Sequence, residues 1–555
     1  MCMMKNSGIR RTATAILFLL CGACLFAAPT VNWRCSIPGG FWQDRGTLTV
    51  QNSGTVGTSI TMDTSTKGQT MDGFGGAFNE LGWKAMMTLT QRLKDSVMKE
   101  LFDTMTGCNL AINRMPIGAS DFATSYYSLN DNAGDYAMAN FSIQRDRTYL
   151  IPFIKAAMAV NPRLKVWGSP WTPPSWMKTN NNYAGGSITQ NAQTLSAYAL
   201  YFEKAVQAYR AEGLDFVGLS FQNEPYANQV FPSCLWNGTQ IRDFIKLYLG
   251  PKFQTDNVGC QIWSPTMNNG DINEFLPMLT DAVCYNYLTG CCFQWAGEGA
   301  VAEVHRRYPN IKIWQTEVKC GGGENNWTYA TSPVFRDMCF YFANGANSFM
   351  QWNMILDQTN LSHWGWSQCA MVTADTTNKR VVFNPQLYAV KHFTNYVRAG
   401  ARRVKAAGAG IDSLQDFSVF LNPSGQIVVV FKNPNTAATQ IGIKWGASMV
   451  VPQVPGSSFN TITITEPVSI GENKQLPGNR NTQALTITRV NGILRISTPA
   501  GNYALKILSP DGRTVQNLGS SISSIRTVSC ASLKGFFLVE AKKGTYRIIQ
   551  KALFY

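Results

Sequence analysis

Histidine is scarce in this 555-residue chain: His305, His363 and His392 are all it has. None stands in an HExxH-type arrangement, which argues against a His-ligated metal or a Ser–His triad. No CxxC pair recurs, and Cys291 and Cys292 are adjacent, so a cysteine zinc site is also disfavoured. No GxGxxG follows a strand-like run, which lowers a dinucleotide-binding reading. Beyond the first 30 residues no stretch has the length and apolarity of a membrane-spanning helix. Charged residues make up only 15% of the chain.

What is present is a large apolar inventory, 45% hydrophobic with 15 Trp. That is enough for two or more packed domains. The tryptophans fit either a big aromatic core or a cleft that stacks on sugar rings. At the start, Lys5, Arg10 and Arg11 precede an apolar run from Ala13 through Phe26 and the small residues Ala27 and Ala28. This is the pattern of a cleaved export signal over 1–28, and Cys24 adds a lipidated alternative. The resulting expectation is a secreted or cell-surface protein of Gram-negative type. Of 14 Cys, 11 follow that segment, an odd number that cannot all pair within one chain. The net charge of +15 is uneven: residues 472–555 alone carry +9. These basic residues are dispersed among strand-like segments, which favours an ordinary basic β-module over a nucleic-acid-binding tail.

Periodicity divides the chain. Residues 29–70 alternate in short Thr/Ser/Gly-rich runs and read as strands. From 71 to 400, short apolar runs alternate with helical stretches. Strands are expected near 72–78, 109–115, 164–169, 216–222, 260–264, 291–295, 311–316 and 347–353. Leu89, Leu93, Val97 and Leu101 mark an amphipathic helix, with others at 146–160 and 191–212. Eight strand–helix repeats predict an α/β fold, a (β/α)8 TIM barrel, although chain order alone also permits a doubly wound sheet. Strand texture returns over 401–470 and can complete a side β-sandwich with 29–70. A basic C-terminal β-module is expected over 471–555, with hairpin turns at Asn491-Gly492 and Asp511-Gly512.

Active sites of such barrels lie at the C-terminal ends of the strands. Two carboxylates stand there: Glu224 after the fourth strand, in Gln222-Asn-Glu-Pro225, and Glu317 after the seventh, in Gln315-Thr-Glu317. A carboxylate at the end of an apolar strand is costly unless it is used or paired. Glycosidic cleavage requires two: one protonates the leaving oxygen, and the other attacks the anomeric carbon or activates water. Taken singly, each Glu could equally be a salt-bridged loop residue.

The ordered segments Met71-Asp-Gly-Phe-Gly-Gly-Ala-Phe78, Arg114-Met-Pro-Ile-Gly-Ala-Ser-Asp-Phe122, Gly168-Ser-Pro-Trp-Thr-Pro-Pro-Ser-Trp-Met-Lys178, Gln222–Pro225, Gln315–Glu317 and Gln351-Trp-Asn-Met354 resemble glycoside hydrolase family 30. The resemblance implies a (β/α)8 barrel with a side β-sandwich and hydrolysis of β-glycosides with retention. It implies that Glu224 is the acid/base, Glu317 the nucleophile and Asn223 the partner of the sugar 2-hydroxyl. Asp121, Trp171 and Trp352 match its terminal-subsite residues. Gln294-Trp295-Ala-Gly297, Trp352–Leu356 and Trp364-Gly-Trp366 resemble the endo-β-1,6-glucanase branch, so Gln294 and Trp295 join the expected substrate-binding set. A β-glucan substrate, with no metal, cofactor or nucleic acid, is the expectation that follows. The alternatives are another specificity of the same family, such as β-glucosidase, glucosylceramidase or xylanase, and a non-catalytic glycan binder. Three sites depart from the branch, one of them Cys369-Ala370. Val318-Lys319 replaces Ser and an acidic residue, and Glu298 replaces a basic one, which places two inverted charges near the expected cleft. If Lys319 points at Glu317, it keeps the nucleophile ionised to lower pH. The segments around Ala504–Arg513 and Gly535–Val539 resemble sorting modules of some secreted proteins, which implies secretion machinery as a partner.

Overall fold

A computed structural model describes residues 29–466 without a break and seven strand-bearing segments between 486 and 554. Residues 1–28, read above as an export signal and including Cys24, the stretch 471–483 and the two Gly-containing turns expected at 491–492 and 511–512 lie outside the described residues. The chain forms two compact units, one up to Pro467 and one from Val468 onward.

In the first unit eight parallel strands close into a barrel, in chain order: Gly73–Ala77, Ile112–Pro116, Lys165–Ser169, Phe216–Ser220, Gln261–Met267, Leu288–Gln294, Lys312–Glu317 and Ser348–Asn353. Pairing of Ser348 with Gly73 closes the ring. The expected strands are all present. The second begins later than expected, at Ile112, and the fifth and sixth are displaced, because strand pairing carries the fifth on to Met267 and begins the sixth at Leu288. Helices fill the connections. Asn191 accepts from the amide of Thr194 to start Ala192–Ala211, and Gly213, at φ +85°, ends that segment in a left-handed conformation that glycine adopts freely. The helix expected around 89–105 is Gln91–Phe102, with Val97, Met98, Leu101 and Phe102 buried.

The lower interior of the barrel is a plug of large side chains: Ile112, Trp167, Trp263, Cys292, Trp314 and Met350. Trp263 and Trp314 stack with centroids 3.8 Å apart. Neighbouring strands make room by omission: a Cβ at Gly290 would lie 2.3 Å from the Trp263 ring. Much of the tryptophan content is therefore core, the plainer of its two readings.

Residues before and after the barrel share one sheet. Thr30–Ile37 pairs with Ser458–Thr465, and Thr58–Thr70 lies between Arg402–Ala409 and Thr439–Trp445. His392, on the last barrel helix (Pro385–Thr394), is buried against this sheet, 2.8 Å from Thr461 Oγ1 and 2.9 Å from Ser36 Oγ. Burial lowers its pKa to about 3, so it stays neutral. Every cysteine among the described residues is a free thiol. No helix among them is long and apolar enough to cross a membrane.

The second unit, taken by itself, contains two antiparallel sheets. One joins Thr486–Val490, Ile493–Ser497 and Ile525–Ser529. The other runs Thr514–Ser521, Tyr503–Leu508, Gly535–Lys543, Tyr546–Phe554.

Candidate active site

A polar layer covers the tryptophan plug at the C-terminal end of the strands. Its centre is Arg114, fully buried on the second strand. The guanidinium lies 5.4 Å from the Trp167 ring below it and 4.5 Å from the Trp171 ring beside it. Its Nη1 donates to Glu317 Oε2 at 2.7 Å, its Nε to Ser169 Oγ at 2.9 Å, and its Nη2 to Asn223 Oδ1.

Glu317 reaches this layer because strand pairing is irregular there. Phe293 pairs with Gln315, but Gln294 pairs with Glu317, so Thr316 is an extra residue. The extra residue reverses the alternation, and Trp314 and Glu317, three positions apart, both contact interior groups. Gln294 Nε2 also donates to Glu317 Oε2, at 3.0 Å. The other oxygen, Oε1, has a weaker neighbour, the Cys320 thiol at 3.8 Å. Burial raises the Glu317 pKa, while Arg114 and the bond from Gln294 pull it back towards ionisation.

Asn223 and Glu224 occupy the turn after the fourth strand. The amide of Asn223 donates to Pro170 O at 2.7 Å, and that of Glu224 to Thr266 O at 3.2 Å. Glu224 has φ +43° although it is not glycine and precedes proline, a strained setting. Its carboxyl has no cation comparable to Arg114 in contact. Burial, reinforced by the charge of Glu317, pushes its pKa up to about 8. Burial thus raises both carboxyls, but Glu317 alone has a cation and an amide in contact that favour its ionised form, an asymmetry of the kind that separates two carboxyls into different roles.

The Asn223 amide is oriented by its surroundings. Its Oδ1 accepts from Arg114 Nη2, from Gln294 Nε2 at 2.8 Å and from Thr266 Oγ1 at 3.0 Å. Three donors on one atom fix the flip and leave the Nδ2 hydrogens available for a ligand oxygen. Asp121, after the second strand, accepts from Trp352 Nε1 at 3.2 Å through Oδ2, while its buried Oδ1 has no protein partner. Burial and the charges of Glu317 and Glu224 raise its pKa well above the carboxylate range.

A cavity of about 320 Å³ opens above these groups. Asp121, Trp171, Asn223, Glu224, Trp295 and Glu317 line it together, drawn from five strand ends. Gln294 and Trp352, expected among the substrate contacts, stand behind its wall. Gln294 is fully buried and spends its amide on Glu317, Asn223 and Thr266, while Trp352 backs Asp121. Arg114, Thr266 and Cys320 received no role from the sequence. An arginine inside the apolar run Ile112–Pro116 was the one available signal, since a buried cation requires a partner.

Of the two inverted charges, Lys319 lines the cavity and Glu298 does not. Glu298 begins the helix Glu298–Arg307 and pairs with Arg336 at 2.7 Å, so it is not a free cleft charge. The Lys319 ammonium lies 5.8 Å from the Trp295 ring, and the cation that contacts Glu317 is Arg114.

Comparison with known proteins agrees with this geometry. The family profile described as the glycosyl hydrolase family 30 TIM-barrel domain matches residues 71–397, and the one described as its beta sandwich domain matches 400–462. A putative glucosylceramidase 1 of Caenorhabditis elegans is 32% identical over 397 residues, covering 67% of this chain and 76% of its own. An endo-1,6-beta-D-glucanase of Trichoderma harzianum, BGN16.3, is 27% identical, covering 69% and 82%. Among solved structures, the endo-beta1,6-glucanase BT3312 superposes with a TM-score of 0.71 at 25% identity, covering 79% of this chain and 99% of its own.

Proposed function

This chain belongs to glycosyl hydrolase family 30 and is a glycoside hydrolase, and on that premise we propose that it cleaves β-1,6-glucan internally, with retention, through Glu224 and Glu317. The observation that carries the assignment of roles is the one-sided clamp on Glu317. Arg114 and Gln294 both hold Oε2, which leaves Oε1 directed away from strong donors and available to attack. Glu224, protonated at neutral pH, gives its proton to the glycosidic oxygen as the C1–O bond breaks. Glu317 Oε1 forms the C1–O bond of a glycosyl ester. In the second half-reaction the Glu224 carboxylate takes a proton from water, the water oxygen attacks C1, and Glu317 leaves as a carboxylate. The free Nδ2 of Asn223 donates to the sugar 2-hydroxyl. The unpartnered Oδ1 of Asp121 accepts from, or donates to, a hydroxyl of the terminal sugar, with Trp171 against the ring face.

The β-1,6 linkage is supported by the Gln294–Gly297 and Trp352–Leu356 motifs and by the relatives whose names print that activity. A glucosylceramide-type β-glucosidase is the second reading, favoured by the higher identity to the nematode protein. A product assay on linear β-1,6-glucan, β-1,3-glucan, xylan and glucosylceramide separates them. Short β-1,6 oligomers support the first reading. Glucose released from glucosylceramide, with the polymers untouched, replaces it with the second. Proton NMR of the first-formed anomer tests retention. Export is the corresponding proposal for residues 1–28, tested by sequencing the N-terminus of protein recovered outside the cell. A chain that still begins at Met1 would reject signal cleavage.

A further inference from the structure

The charged residues lining the cavity are Asp121, Glu224, Glu317 and Lys319. Burial shifts the first two towards their protonated forms, and the Glu317 charge is matched by Arg114 beneath it. Lys319 is then the positive charge on the wall, with Asp337 acting on it only beyond ion-pair distance. No ion pair among the described residues involves it, and the nearby acids are already engaged: Glu298 and Asp337 both pair with Arg336. Its backbone is anchored. Tyr329 donates its hydroxyl to Lys319 O at 2.9 Å, and the amide of Cys369 donates to Cys320 O at 2.7 Å. The side chain is exposed at the cavity rim, with its ammonium 5.8 Å from the Trp295 ring, itself 39% exposed. An aromatic face beside an unpaired cation offers a sugar ring a stacking surface and any acidic substituent on that ring a counter-ion.

We propose that Lys319 and Trp295 form a subsite for a sugar bearing an anionic group, a carboxylate or phosphate, next to the bond that is cleaved. The inference rests on the glycosidase reading of this cavity and adds a substrate class to it. The anionic sugar can lie on either side of the scissile bond, and the test distinguishes the two.

The full chain carrying Glu224→Gln is titrated calorimetrically at neutral pH and low ionic strength. That change slows turnover and preserves the cavity charge, because Glu224 is already neutral there. The probes are β-1,6-linked glucotriose, the same trisaccharide ending in glucuronate at its non-reducing end, and the same trisaccharide oxidised to gluconate at its reducing end. One acidic probe is expected to bind about three- to tenfold more tightly than the neutral one. The ratio should be retained by Lys319→Arg, fall to about one in Lys319→Gln and shrink in 0.5 M salt as charges are screened. Equal affinities for all three probes, or a preference that survives Lys319→Gln, overturns the inference. Failure of the linkage reading is distinguishable: the protein with Glu224 intact would leave neutral β-1,6-glucotriose uncleaved, and the same three-probe comparison is then made on the linkage it does cleave.

Discussion

The two halves of the barrel interior are equally buried and chemically opposed. Below, Trp167, Trp263, Trp314 and Met350 fill the space with apolar surface. Above, Arg114, Asn223, Gln294 and Glu317 fill it with polar groups at 6% exposure or less. The lower half gains from desolvation, and the upper half is opposed by it. A buried ion pair with all its hydrogen bonds made roughly breaks even in stability, but breaking it is costly. The upper half therefore holds its charges in a defined state while the lower half carries the fold, and the two should separate under mutation.

Glu317→Gln should show the largest effect. Turnover should fall by about 10³-fold or more, and the thermal midpoint should fall as well, because Arg114 is left as a buried cation without its counter-ion. Near-full turnover would reject Glu317 as nucleophile. Trp263→Ala makes the opposite cut, with a loss of about 3–5 kcal/mol in denaturant unfolding and little change in KM for the molecules that remain folded. A collapse of KM there would show that the two layers are not separable. Arg114→Met strikes the boundary. Stability should drop by about 3–5 kcal/mol at neutral pH, and the acid limb of kcat/KM should move to higher pH, because Glu317 loses the cation that favours its ionised form. Lys319→Gln should leave that limb in place, and a comparable shift there would restore Lys319 as the counter-ion.

The pH profile sharpens the contrast between the two carboxylates. With the proposed roles, activity requires Glu317 ionised and Glu224 protonated, so kcat/KM should rise as pH passes upward through the Glu317 pKa. It then falls as pH passes through about 8, where Glu224 loses its proton. With an aryl glycoside whose leaving group needs no protonation, the alkaline limb should disappear in Glu224→Gln. The smallest effect is conformational. Glu224→Gly relieves the positive φ and should stabilise the protein by about 1 kcal/mol, measured as a raised unfolding midpoint in an inactive enzyme.

Much of this was legible before the fold was known. The eight apolar runs, their spacing and the helices between them predicted a barrel and left a doubly wound sheet open, because strand and helix periods are local properties of side-chain order while closure of the ring is not. The carboxylates at 224 and 317 were legible because acids at the ends of apolar strands stand out. Arg114 was harder to read. It lies in the quoted motif, but its role depends on Glu317, 203 positions away. Gln294 was read as a sugar contact because Gln294–Gly297 resembles the glucanase branch, and the register that ends the sixth strand at Gln294 turns its amide inwards onto Glu317 and Asn223.

The sequence by itself determined the alternation of strand and helix, the positions of the two glutamates and the family to which they belong, since all three are carried by residue type and local order. Tertiary structure alone decided which glutamate is clamped by Arg114, which has no such cation in contact, and that Lys319 at the cavity rim forms no ion pair. Those outcomes depend on a one-residue irregularity at Thr316 and on which side chains distant strands place within hydrogen-bond reach. At that range desolvation and charge outweigh local preference, and only the folded chain sets the distances.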